Sequence, residues 1–385
     1  MKKFILISAL IAALASGSYA QTGQDTPGLR ISLLTCTQGN DVASAFGHSA
    51  IRVTDSLHNM DLVFNYGTFS FQEPHFMLKF MHGDLNYFLS ANSFQNFRRS
   101  YTASGRGIYE QVLDLLPEQA EQLYSFLLWN IEPENRYYLY DFLDDNCATR
   151  IRDIFTKSGF TFSDSAMDVT YRDELRRMLE KKYWMKFGVD LLLGAKIDRD
   201  ITAYESMFLP DRLCENVQMY SNGMTGRPLA GAPATIAEAA QGHGKSMDIL
   251  LKAVSPVSVF SILAVVYILV FLRGKVHRFR FARVTSIVLY SILGIGGIIL
   301  SYMWFGTNHV WTGWNWNLLW MNPLFLIPVF MPSCKARNMI AAVLTALAVV
   351  PVFWFIPMTL NLASVILIIF TVLVTCSMHA VYVNR

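Results

Sequence analysis

At 385 residues and 53% hydrophobic content, the chain has ample material for a core, and its formal net charge of +3 does not supply the strongly basic surface that nucleic-acid binding needs. Mean hydropathy is +0.31, unusual for a soluble chain. The apolar excess lies at the two ends.

The first end, "MKKFILISALIAALASGSYA", has Lys2 and Lys3, an apolar stretch from Phe4 to Ala15, and small residues Ser18 and Ala20. It reads as a secretory signal peptide over residues 1–20, with the mature chain beginning near Gln21. No cysteine follows the site, so the chain is not itself expected to be lipidated there.

The exported part reads as mixed α+β. "GLRISLLTCTQG" predicts a strand, "HSAIRV" another from about His48 to Val53, and "MDLVFNYG" a third from Met60 to Tyr66, with "TDSLHN" as the turn. A strand is expected near Ile108–Leu113. "LPEQAEQLYSFLLWNI" predicts a helix with Pro117 at its start. "DNCATRIRDIFTKSG" predicts one with Cys147 in its first turn and its end near Gly159. Thr170 and Asp173 form a capping box for "YRDELRRMLEKKYW". "KFGVDLLLG" and "AYESMFLPDRLCENVQMYS" also suit helices. The Gly/Ala-rich stretch that follows predicts a mobile tether over 225–254, so the periplasmic domain is placed at 21–224.

From about Val257 the pattern is that of membrane. Five spans are expected, near 257–272, 284–305, 318–332, 339–358 and 361–376, within a transmembrane domain at 255–385. The third is short and carries two prolines. The linker "RGKVHRFRFAR" has five Lys/Arg and no acid, which keeps it cytoplasmic along with Lys335 and Arg337. The preceding domain is then outside and the C-terminus inside. Helical spans point to a bacterial inner membrane.

Three of the five cysteines, Cys36, Cys147 and Cys214, fall in the exported part. None has a close cysteine neighbour, so neither a metal site nor a cofactor is expected. Cys147 follows Asp144, Asp145 and Asn146, all good N-cap residues, and precedes a helical apolar face of Ala148, Ile151, Ile154 and Phe155. A thiol in a first helical turn is biased toward thiolate. The plainer reading is a small buried hydrophobe. His48 heads a strand whose hairpin partner puts Asn65 about opposite; alternation leaves Ile51, Val53, Leu62 and Phe64 to the core and lets Arg52 meet Asp61. Cys147, His48 and Asn65 then form a nucleophile–base–orienting set. A slip in register would give the third role to Tyr66 or Asp61.

"LLTCTQG", "AFGHSAIRV", "VFNYGTF", "YDFLDDNCATRIRD", "FGVDLLLG" and "NHVWTGWNWNLLWMNP", in this order, resemble a family of bacterial lipoprotein N-acyltransferases that serve where the usual nitrilase-like enzyme is absent. The histidine-strand-then-cysteine-helix order also resembles the circularly permuted papain-like superfamily. The resemblance implies a catalytic histidine at His48 and a nucleophile at Cys147. It implies a phospholipid acyl donor, a thioester on Cys147, and a diacylated lipoprotein acceptor in inner-membrane lipid. Arg150, Tyr66, His309, Asn315 and Asn317 are further candidates for substrate contact. The rival readings are an exported, membrane-anchored cysteine peptidase or amidase, and a non-enzymatic membrane assembly or sensing protein.

Overall fold

A computed structural model of the chain describes residues 28–240, 245–274, 277–332, 334–353 and 357–383. The expected signal peptide lies outside these residues.

A seven-stranded antiparallel sheet organises the exported part. Its strands are β1 (Leu29–Cys36), β2 (His48–Asp55), β3 (Met60–Thr68), β4 (Asn86–Ser93), β5 (Ile108–Val112), β6 (Tyr137–Leu139) and β7 (Ala234–Ala237), in the spatial order β7-β5-β1-β2-β3-β4-β6. Period-two alternation sends Ile31, Leu33, Ile51, Val53, Phe64 and Tyr66 to one face, where helices α3 (Pro117–Ile131) and α4 (Cys147–Lys157) bury Leu123, Leu127, Ile151 and Phe155 against them. The other face carries Leu34, Cys36, Ala50 and Val63 and is covered by Phe97 of α2 (Phe94–Ala103). Both faces are thus buried. A further helix, α1 (Phe76–His82), joins β3 to β4 and buries none of its residues.

The β2–β3 hairpin closes at Asp55↔Met60, with Ile51↔Phe64 as its last paired rung. The expected register is corrected by two residues. Asn65 falls across from Ala50, and His48 reaches it on the diagonal, along the same face. The four residues Ser56–Asn59 make a tighter turn than the longer one expected. Arg52 meets Asp61 as expected, at 2.8 Å, and also contacts Glu110 at 3.1 Å.

The tether is also corrected. β7 pairs with β5 at the sheet edge, and α7 (Lys245–Ala253) follows, with Lys181 Nζ on Asp248 at 2.9 Å and Trp184 Nε1 donating to the Val254 carbonyl. Edge pairing uses backbone groups, so a small-residue composition does not reveal it. Between α4 and α7, α5 (Tyr171–Met178) starts at the expected Thr170–Asp173 capping box, and α6 (Tyr183–Leu192) carries Asp190.

The membrane half contains α8 (Pro256–Arg273), α9 (Arg278–Phe305), α10 (Leu326–Phe330), α11 (Lys335–Phe353) and α12 (Leu362–Val383). Among the described residues α8, α9 and α12 are long and apolar enough to cross a bilayer. The expected third span differs. It is broken into two 3₁₀ turns, Trp316–Leu319 and Pro323–Phe325, followed by the five-residue α10. Pro323 removes a backbone donor and Asn322 caps the next turn through Leu324 N–H at 2.9 Å. The segment nevertheless runs back along α9. It begins at Asn317, against the α6 end of the exported domain. It ends where Arg337 donates to the Pro328 carbonyl and to Ser286, near the start of α9. Irregular backbone at that depth is tolerated because protein encloses it. Arg337, expected in a free cytoplasmic loop, is instead buried.

Candidate active site

Cys147 is the first residue of α4 because Asn146 caps that helix completely. The Asn146 Oδ1 accepts from Ala148 N–H (2.8 Å) and Thr149 N–H (3.0 Å), while its Nδ2 donates to the Phe142 and Phe208 carbonyls. The Asn146 N–H donates to Thr149 Oγ1 at 2.8 Å. A buried amide with every edge used leaves one orientation for the helix start. Upstream, Asp141 Oδ1 accepts from Leu143 and Asp144 N–H and also from Trp311 Nε1 at 3.1 Å. A tryptophan of the membrane half thereby holds the loop that positions Cys147.

The half-buried His48 at the head of β2 faces this helix start. Its Nε2 lies 3.3 Å from Asn65 Oδ1, and Asn65 Nδ2 donates to the Val63 carbonyl at 3.3 Å. A carbonyl oxygen only accepts, so this pattern assigns the proton to Nε2 and leaves Nδ1 for the thiol. Burial pushes the Cys147 thiol up. The charge of His48, its hydrogen bond to the sulfur, and the backbone N–H groups of Ser49 and Ala148 outweigh burial and hold the thiol below its usual range. Cys36, paired directly across from His48, is fully buried and goes the other way, pushed up to about 12 mainly by desolvation. Two thiols near one another are therefore set apart by environment, one held toward thiolate and one toward thiol. Gly67 adopts φ +87° beside Cys147, where a left-handed backbone favours glycine.

The thiolate is the reacting species, so alkylation of Cys147 by iodoacetamide is expected to rise with pH and level off below the midpoint of about 8.5 typical of a free thiol. His48→Ala keeps the burial and removes the charge, so the midpoint should move upward past that of a free thiol. Mass spectrometry of the Cys147 peptide over a pH series measures this. Superposable wild-type and His48→Ala profiles would contradict it.

A cavity of about 410 Å³ opens on His48 and Asn65, lined also by Gly67, Ser90, Tyr101 and Arg106 among others. Arg106 and Tyr101 were not foreseen. Arg106 lies over the Tyr101 ring, 4.5 Å from its centroid, donates from Nε to the Thr37 carbonyl, and has an Nη2 with no partner. Tyr138 was missed too; its buried hydroxyl also lacks a partner. "ASGRG" and "YYLY" hold these residues, but only the sheet brings them to Cys147. A larger cavity of about 550 Å³ is lined by Cys36 and Cys214, and neither His48 nor Cys147 lines it. Among the described residues no cluster of side chains suits a metal ion.

The other candidates are placed differently from one another. Arg150 forms a bidentate pair with Asp145 (2.6 and 2.7 Å) and stacks over Tyr138 at 3.6 Å, while Asp153 is bound by Arg152. Tyr66 lines the cavity, but its hydroxyl donates to Asn130 across the core at 2.5 Å. Asp61 is held by Arg52, so neither alternative replaces Asn65 behind the histidine. His309 lies against Gly83 where the two halves of the chain meet. Asn315 and Asn317 are buried, and their amides donate to the carbonyls of Leu191, Leu192 and Asp190. With Trp320 Nε1 on Asn317 Oδ1 as well, these two serve as a clasp between domains rather than as substrate contacts.

That clasp is extensive. Asp190 receives Arg172, Arg176 and Asn361 on its carboxylate, and Arg176 also donates to the Thr359 carbonyl. Gly194 N–H donates to the Trp311 carbonyl, and a Cβ at Gly194 would overlap the Gly313 backbone. "FGVDLLLG" and "WTGWNWN" are therefore the two sides of one joint.

Comparison with known families gives two matches. The Lnb N-terminal periplasmic domain matches residues 18–177, and the Lnb transmembrane domain matches residues 248–385. Neither the curated proteins nor the solved structures give a match.

Proposed function

Because the chain belongs to the Lnb family and carries its periplasmic and transmembrane domains in order, we propose that it is a lipoprotein N-acyltransferase of the inner membrane that works through a thioester on Cys147. Its substrates are lipids and lipoproteins. In finer terms, the donor is a membrane glycerophospholipid and the acceptor is the α-amine of a diacylglyceryl-cysteine lipoprotein.

One observation carries this reading: a thiol held toward thiolate by His48, on a domain whose nucleophile loop is tied to the membrane half through Trp311 and Asp141. A cysteine hydrolase has no need of that joint. An enzyme that takes an acyl chain from a bilayer does, since each methylene moved into water costs about 0.8 kcal/mol.

The steps follow from the geometry. Thiolate attacks the ester carbonyl of the donor, and the Cys147 N–H at the start of α4 serves the developing charge. The C–O bond breaks as the imidazolium of His48 gives its proton to the departing lysophospholipid alkoxide. The amine of the acceptor then attacks the thioester, and His48 takes a proton from that nitrogen as the C–S bond breaks. Thiolate and imidazolium return, with an amide formed. Asn65 keeps the ring aligned through both halves. Arg106 supplies positive charge to the cavity, where a donor phosphate needs it.

The test is mass spectrometry of a lipoprotein's N-terminal lipopeptide from cells with and without this protein. The triacylated peptide is expected only with it. A triacylated peptide in both, or a diacylated one in both, would overturn the reading.

A further inference from the structure

α1 is built as no water-exposed helix should be. It reads "FMLKFMH" over seven residues, and none is buried. Met77 and Leu78 are about two-thirds exposed, with Phe80 and Met81 close to half. Phe71 just upstream is 76% exposed. Its one lysine, Lys79, is turned back onto Glu73 at 2.7 Å. An isolated helix this short is not stable in water, and helical stability normally comes from a buried apolar face. Here that face has no partner among the described residues.

Its place in the fold says what covers it. The C-terminal end of α1 is fixed to the segment directly after α9: Asn308 N–H donates to the His82 carbonyl at 2.8 Å, and Asn308 Nδ2 to Asp84 at 2.6 Å. α9 is a membrane-length helix that ends at Phe305, so α1 lies level with its periplasmic mouth. The helix is also continuous with the nucleophile. β3 passes Gly67, beside Cys147, and runs directly into this segment. Packed rings also connect this segment to the nucleophile loop: Phe76 on Phe69 (5.8 Å between centroids), Phe69 on Tyr87 (5.3 Å), Tyr87 on Tyr140 (4.5 Å). Tyr140 lies within electrostatic reach of Cys147.

We propose that Phe69–Met81 is a membrane-inserting element whose partner is the periplasmic leaflet of the bilayer, and that its insertion presents the Cys147 site to donor lipid in that leaflet. The first half stands on exposure and placement alone; the second rests on the acyltransferase reading. Insertion brings the reaction centre down to the donor, so that the chain passes from lipid to apolar protein without crossing water.

The full-length protein, reconstituted in phosphatidylethanolamine/phosphatidylglycerol vesicles, tests both halves. With p-benzoylphenylalanine at Leu78, irradiation is expected to give an adduct of phospholipid mass, and none with the probe at the exposed Glu118. An adduct only with an added diacylated lipopeptide, or only within the chain, would overturn insertion. For delivery, a Met77→Asn/Leu78→Asn variant is expected to load Cys147 from vesicle phospholipid at least about tenfold more slowly. From a monomeric short-chain phospholipid it should load at the wild-type rate. Equal losses with both donors would overturn the delivery role. If even the wild type never loads, the acyltransferase reading fails while the cross-link still reports insertion.

Discussion

Cys147→Ala is expected to abolish conversion of diacylated to triacylated lipopeptide, a loss of at least about four orders of magnitude, because the residues of a nucleophile–base set act as a unit. The variant protein should remain folded in the membrane, since the half-buried thiol caps nothing and the helix start is held by Asn146. Cys147→Ser should be nearly as inactive: a hydroxyl beside the same imidazole is a far poorer nucleophile at its own pKa. His48→Ala should fail at the same step, by about two to four orders of magnitude, since neither thiolate formation nor departure of the alkoxide is then assisted. Asn65→Ala removes only the acceptor behind Nε2, and a loss of about tenfold to a hundredfold is expected, with a shifted pH profile that marks it as a positioning residue. The assay is in-membrane conversion at matched protein level. Near-wild-type conversion by Cys147→Ala would remove the nucleophile from the account.

Asp190→Ala is expected to have the largest effect on stability. This carboxylate is 4% exposed and anchors Arg172, itself 1% exposed, together with Arg176 and Asn361. Its removal leaves two guanidinium groups short of a counter-charge at the joint between domains, a loss of about 3–5 kcal/mol. Arg172 retains Asp198, so the damage concentrates on Arg176 and on the connection to Thr359 and Asn361. Thermal unfolding of the detergent-solubilised protein should shift markedly downward, and protease should reach the α6–α12 junction. An unchanged unfolding temperature with unchanged proteolysis would mean that the joint is held elsewhere.

These two residues show where sequence reasoning succeeds and where it stops. Cys147 and His48 were legible because each carries a local signal: cap residues before the cysteine, and an alternating strand after the histidine. The core faces of β2, β3 and α4 follow from the same periods, and Ile51, Val53, Phe64, Ile151 and Phe155 are buried as expected. Asn65 was legible as a neighbour but not in register, because a two-residue change in turn length moves a hairpin without changing its pattern. The segment from Phe69 to Ala103 gave no assignment, and it supplies α1, β4 and α2, of which β4 and α2 line one side of the cavity. Its apolar residues face outward on α1, so they show no period that a core would impose. Arg106 and Tyr138 converge on the site only through sheet order. Polar residues beside tryptophans at a membrane surface point to substrate contacts, which is the expectation for Asn315 and Asn317. What they meet is the C-terminal end of α6, and that pairing of distant segments leaves no trace in spacing.

The central claim is that Cys147 carries an acyl chain as a thioester. Purified wild-type protein, given vesicle phospholipid and no acceptor, is to be digested and the Cys147 peptide weighed. The account predicts a mass increase equal to one fatty acyl group, lost on treatment with neutral hydroxylamine, discharged by a diacylated lipopeptide, and missing in Cys147→Ala. An unmodified Cys147 peptide under conditions where triacylated product still forms would contradict it.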